Sequence, residues 1–132
     1  MKAKTKSIAI AVAHLVEKLP SNRINNTYAG QILRCSASVG ANYRAACRGK
    51  STNDFVYKLQ VVEEEADETL FFLELLAEFN PAQKTEMRAI YKETETVLKI
   101  IVASIKTAIQ KDDYRSAFRQ PKTKNLKSKT DE

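Results

Sequence analysis

Between Phe55 and Leu76 the apolar residues Phe55, Leu59, Val62, Ala66, Leu70, Leu73 and Leu76 recur at spacings of three and four, with Thr69 beside Leu70 on the same side. That spacing puts them on one face of an α-helix, whereas the period of a strand would scatter them over both faces. Neither Gly nor Pro interrupts the run, so it predicts one helix of about six turns. A long helix with a single apolar stripe must bury that stripe against other helices. The remaining sequence supplies them. With only three Gly and three Pro in 132 residues, the chain is poor in turn formers and suited to long helices. The length fits one domain and can bury a core without metal or disulfides.

Three further helices are predicted. Helix 1 runs from about Thr5 to Leu19, with Ile8, Val12, Leu15, Val16 and Leu19 on one face, and Pro20 ends it. Helix 2 follows the polar link Pro20–Asn26, with Asn26 or Thr27 as N-cap, and continues to about Arg48 through Tyr28, Ile32, Cys35, Val39, Tyr43 and Ala46. Small residues lie between these, and Gly40 in a helix interior points to close approach of a neighbouring helix. Gly49 is expected as a left-handed C-cap. The helix containing the long seam starts from Ser51 or Thr52, carries Asp54 in its first turn, and ends near Phe79. Asn80-Pro81 then reads as a cap and first position for helix 4, whose face is Met87, Ile90, Thr94, Val97, Ile101, Ile105 and Ala108, ending around Lys111. The links are short, so consecutive helices fold back on each other. The expected architecture is all-α: an antiparallel up-down-up-down four-helix bundle over residues 1–111. A basic, flexible C-terminal tail follows over 112–132, since Tyr114 to Lys129 holds six basic residues and no acid.

Cys35 and Cys47 both fall on helix 2, twelve residues apart. A rise of about 1.5 Å per residue separates them by roughly 18 Å, beyond disulfide reach. They read as reduced thiols, small buried hydrophobes of a cytoplasmic protein. Lys2, Lys4 and Lys6 precede an apolar stretch from Ile8 to Val16, but His14 interrupts it and Glu17-Lys18 follow, so no secretory leader is expected. No stretch has the length of a membrane span.

The net charge is +6, and its distribution is uneven. Residues 21–50 contain Arg23, Arg34, Arg44, Arg48 and Lys50 and no acid, whereas helix 3 carries Glu63, Glu64, Glu65, Asp67, Glu68, Glu74 and Glu78 against Lys58. Two readings stay open. Helices 2 and 3 can pair their charges, within the bundle or between subunits. Alternatively, helix 2 and the tail can form a surface for nucleic acid.

Catalytic and metal chemistry find little support. His14 is the single histidine, and no Glu-x-x-His pair of the kind that holds two metals in a helical bundle is present. No nucleophile pair and no phosphate-binding glycine loop appear either. No catalytic residue, metal, cofactor or small-molecule substrate is expected. Glu65 and Glu68 flank the core seam of helix 3, with Asn42 and Arg34 placed similarly on helix 2. A partly buried carboxylate needs a partner, so Asn42, Glu65 and Glu68 are expected to form a structural polar network.

The stretch Ser38-Val39-Gly40-Ala41-Asn42-Tyr43-Arg44, then Asp54-Phe55-x-x-Lys58-Leu59 and Glu65-Ala66-x-Glu68-Thr69-Leu70-x-x-Leu73-Glu74-Leu75-Leu76, resembles the bacterial four-helix-bundle family named for the intervening sequence of 23S ribosomal RNA. The resemblance spans roughly Ile8 to Ile109. It implies an up-down-up-down bundle that assembles as a ring-shaped homopentamer, without established enzymatic activity. The accessory proteins of diversity-generating retroelements share that fold and bind nucleic acid and reverse transcriptase through a basic surface. Where the family usually has Glu after Asn-Tyr-Arg, this chain has Ala45.

The expected function is therefore a non-enzymatic, cytoplasmic, oligomeric module that binds RNA or a reverse-transcriptase-like nucleoprotein through its basic residues. These are Arg23, Arg34, Arg44, Arg48 and Lys50, with Arg115, Arg119, Lys122, Lys124, Lys127 and Lys129 from the tail. Contacts of this kind go to phosphates and carry little sequence specificity. The alternative is a structural protein–protein adaptor with no nucleic-acid role. On helix 3, Val61, Phe71, Phe72 and Leu75 lie off the main seam and predict a second buried face. Sedimentation equilibrium is expected to reveal an oligomer, with the pentamer as the state implied by the resemblance. A monomer at micromolar concentration removes the second face.

Overall fold

The four seams become four helices in the computed structural model, which describes residues 1–119. They are α1 (Lys2–Glu17), α2 (Arg23–Cys47), α3 (Thr52–Phe79) and α4 (Lys84–Ala117), with a 3-10 turn at Pro81–Gln83 before α4. Each helix packs on the next, and α1 closes the bundle against α4. The core is made of the expected stripes: Ile8, Val12 and Leu15 from α1, and Ile32, Cys35 and Val39 from α2. Leu59, Val62, Ala66, Leu73 and Leu76 of α3 meet Met87, Ile90, Val97, Ile101 and Ile105 of α4. Phe55 is half-buried and packs against this core from the side.

α1 begins at Lys2, three residues before Thr5, and the other helices differ from the sequence reading in four places, each with a local cause. Asn22, not Asn26 or Thr27, caps α2: its backbone is extended and its side chain accepts the Asn25 N–H at 2.9 Å. Asn26 instead pairs with Ser21, and the Thr27 hydroxyl donates back to the Arg23 carbonyl at 2.8 Å, as a residue inside the first turn does. Gly49 is not a left-handed cap, since its φ lies outside that region. It is needed for space: a Cβ there would sit 3.1 Å from the Ala46 carbonyl oxygen and 3.3 Å from the Phe55 nitrogen. Asn80 does not cap α4 with its side chain, which turns inward. Finally, α4 continues six residues past Lys111 to Ala117. The charge composition changes there, but no helix breaker occurs before Pro121, and the rings of Tyr114 and Phe118 pack at 4.7 Å one turn apart. Ser51 caps α3 as expected, accepting the Asp54 N–H at 3.1 Å.

Of the two free thiols, Cys35 is buried and Cys47 is exposed. The expectation that both are buried is thus corrected for Cys47, the last residue of α2, which lies off the core face while its neighbour Ala46 lies on it. Burial pushes the Cys35 thiol up, with the Thr69 hydroxyl 3.3 Å from its sulfur acting the other way.

Gly40 marks where α1 lies close on α2. A Cβ built there would meet Thr5 Oγ1 at 3.4 Å and the Thr5 carbonyl carbon at 3.7 Å. Those are ordinary contact distances, so one methyl fits and a larger side chain does not. Gly40→Leu is expected to cost about 1–3 kcal/mol through overpacking, whereas Gly40→Ala gains up to about 1 kcal/mol of helix propensity. Thermal unfolding of the two variants checks this, and a stabilised Leu variant would contradict the close approach.

Candidate nucleic-acid interface

An antiparallel bundle brings the start of α1, the end of α2, the start of α3 and the end of α4 to one end. Those segments hold much of the chain's positive charge. Lys2 and Lys6 of α1 and Arg44 of α2 line one shallow groove, floored by Thr5, Ala9 and Gly40. Lys50 of the α2–α3 turn and Lys111 and Arg115 of α4 line a second, of about 820 Å³. Arg48, the C-cap of α2, and Arg119, just beyond α4, are exposed in the same region. Among the described residues none of these eight cations takes an ion pair. The acids at this end are Asp54, Asp112 and Asp113, and the last two border a separate groove with Thr52 and Asn53.

The basic residues singled out from the sequence therefore divide. Arg44, Arg48, Lys50, Arg115 and Arg119 come together at this end. Arg23 opens α2 at the opposite end of the bundle and stands apart. Arg34 lies midway along α2 and is committed to α3: its guanidinium is 3.3 Å from Glu65 Oε1 and 2.5 Å from Glu68 Oε1. Lys122, Lys124, Lys127 and Lys129 lie outside the described residues. Lys2, Lys6 and Lys111 were not singled out. The signal for them was the topology, because an up-down-up-down order alone places one terminus of each of the four helices at one end.

Charge pairing between α2 and α3 holds in part, because the acids of α3 point in two directions. Glu65 and Glu68 face α2 and hold Arg34. Glu63, Glu64 and Asp67 face α4, lining a groove of about 570 Å³ with Gln60, Leu98 and Val102. Burial, reinforced by the hydrogen bond with Glu68, pushes the Glu65 carboxyl up, and Arg34 opposes that shift. Asn42 does not join this network, since its amide donates to the Ser38 carbonyl at 2.9 Å. It lies eight residues along α2 from Arg34, about 12 Å away, so the two face different turns of α3. Among the described residues no three His, Cys, Asp or Glu side chains converge as a metal site. No helix among them is long and apolar enough to cross a membrane.

The family model of 23S rRNA-intervening sequence proteins matches residues 1–103. The chain belongs to that family. A crystal structure of a protein of unknown function from the S23 ribosomal protein family of Bacteroides thetaiotaomicron is 30% identical, with a TM-score of 0.70. That match covers 80% of this chain and 97% of the other. No curated protein matches the chain.

In this member of the 23S rRNA-intervening sequence family the motifs largely serve packing. Val39 is in the core, Gly40 admits Thr5, and Tyr43 packs on the core with its hydroxyl pushed up by burial and by the neighbouring Cys47. Phe55 and Leu59 pack likewise. Arg44 is the exposed charged residue of the first motif, and Ala41 is exposed one turn before it. A second surface, away from the cationic end, is aromatic. Tyr28 of α2 packs against Phe72 and Phe79 at 6.0 and 6.4 Å, and Phe71 meets Phe72 edge-on at 5.5 Å. Phe71 and Phe79 remain 53% and 52% exposed, and Ile24, one turn before Tyr28 on α2, is 42% exposed. Val61 and Leu75 are half-buried without joining the core.

Removing Arg34 leaves Glu65 and Glu68 facing each other without a cation, so the Glu65 carboxyl rises further. A native carboxyl above its unfolded value binds the proton more tightly than the unfolded chain, and stability then falls as pH rises through that range. Arg34→Ala should lower the melting temperature at neutral pH, with the deficit closing toward about pH 4, the ordinary glutamate range. A deficit that is constant with pH would mean that Arg34 acts by packing alone.

Proposed function

We propose that this member of the 23S rRNA-intervening sequence family is a non-enzymatic, oligomeric bundle that binds RNA through the cationic end. The observation that carries the reading is the convergence of Lys2, Lys6, Arg44, Arg48, Lys50, Lys111 and Arg115 from three helices and a turn, with no acid of the described residues paired to them. Unpaired cations clustered on one surface repel one another. They are tolerated where solvent screens them and become favourable when a polyanion neutralises them. The first residues of α1 belong to the same region. The two free thiols fit a cytoplasmic protein.

The aromatic face of α2 and α3 favours a second role within the same molecule. Exposed Phe71, Phe79 and Ile24 form an apolar surface suited to another copy of the chain. A pure adaptor would use this face and leave the cationic end without function.

Salt dependence separates the two. Phosphate contacts give a slope of log affinity against log salt of about −0.7 per contact on single strands. The triple variant Lys50→Gln, Lys111→Gln, Arg115→Gln should bind RNA more weakly and with a slope shallower by about 2, while circular dichroism and oligomeric state stay unchanged. Arg34→Gln should leave the slope alone. No RNA binding by the full-length protein at low salt, or binding insensitive to salt, leaves the adaptor as the function.

A further inference from the structure

The groove between the α2–α3 turn and α4 is built differently from a plain cationic surface. Its rim carries Lys50, Lys111 and Arg115, but its floor is apolar: Phe55 from α3 with Ile100, Ala103 and Ala108 from α4. Four hydroxyls also line it: Ser51 caps α3 and Ser104 donates to the Ile100 carbonyl at 2.9 Å, which leaves those of Thr52 and Thr107 for an occupant. Its volume of about 820 Å³ is within the range of sites that enclose a small organic group. Ala103 and Thr107 are exposed positions of a helix, and their small side chains leave the floor open.

Each layer excludes some occupants. Phosphates alone have no use for an apolar floor. Duplex RNA keeps its bases stacked inside and offers mainly sugars and phosphates. An acidic helix could also set an apolar face on the floor and carboxylates on the rim, and competition with polyglutamate tells it from RNA. An unpaired nucleotide matches all three layers, because its base has an apolar face and a polar edge and its flanking phosphates are anionic. We propose that this groove takes an unpaired nucleotide of single-stranded RNA, with the base on the floor of Phe55 and Ala103 and the adjoining phosphates on Lys50, Lys111 and Arg115. The inference rests on the RNA-binding reading and adds to it a preference for single strands over duplex.

The chain carries its own probe. Cys47 is exposed and lines this groove, whereas Cys35 is buried with its thiol pushed up. A maleimide reagent should therefore label Cys47 selectively. Labelling of the full-length protein is expected to slow when a short mixed-sequence single-stranded RNA is bound, and to slow much less with the duplex of equal length at equal occupancy. The companion variant is Ala103→Gln, which stands a neutral side chain on the floor at an exposed helix position and leaves the rim cations in place. Single-strand affinity should fall about tenfold, as for a lost stacking contact, with duplex affinity and the salt slope unchanged.

The inference is overturned if single strand and duplex bind and protect Cys47 equally, or if Ala103→Gln leaves single-strand affinity intact. It is also overturned if polyglutamate of equal charge displaces the RNA as well as a competing single strand does, because the groove then reads charge alone. In those three cases RNA binding itself survives. If the wild-type protein binds no RNA at low salt, both the reading and this inference fall together.

Discussion

Asn25 and Asn80 exchange both of their side-chain amide hydrogen bonds inside the bundle, at 2.9 and 2.8 Å. The remaining amide hydrogens are also used: Asn25 donates to the Pro20 carbonyl and Asn80 to the Leu76 carbonyl, each at 2.9 Å. A buried amide left without partners costs about 1–3 kcal/mol, so any slip of α2 along α3 is opposed at both side chains together. This pair sets the register. Asn25 opposite Asn80 brings Cys35 beside Thr69 and Arg34 between Glu65 and Glu68. The same pair ties the α1–α2 link, the start of α2 and the end of α3 to a single point.

How much of this was legible depends on what kind of signal each feature leaves. The stripes of all four helices were readable because burial repeats with the helical period, and one misplaced residue does not change a pattern of six or seven. Helix ends rest on single side chains, and there the competition is local. Asn22, Asn25, Asn26 and Asn80 are chemically alike, yet one caps, one pairs with a serine and two face each other. A rule that treats Asn as a cap cannot separate them, since the buried pair arises from contact between residues 55 apart in sequence. The end of α4 was missed for the opposite reason: a change in charge composition was given more weight than the absence of a breaker.

The site was legible in its residue types and not in its grouping. Charge read along the chain puts Arg23 with Arg34 and Arg44, but a helix of 25 residues spans about 37 Å, so those three lie in different environments. Lys111, far from Lys50 in sequence, lines the same groove in the fold, and Lys2 lies at the same end of the bundle.

The geometry also changes what the net charge of +6 means. At physiological ionic strength an electric field decays over about 8 Å. Along α3, Glu64 is fourteen residues from Lys50, roughly 20 Å at the helical rise, which is more than two such decay lengths. The acidic belt is therefore nearly invisible from the cationic end, and the two do not cancel for an approaching molecule of ordinary size. The protein presents itself to its surroundings as an electric dipole. On the RNA-binding reading, a polyanion that comes within that decay length is turned toward the end where α1 and α3 begin and α2 and α4 finish, before any atom of the two is in contact.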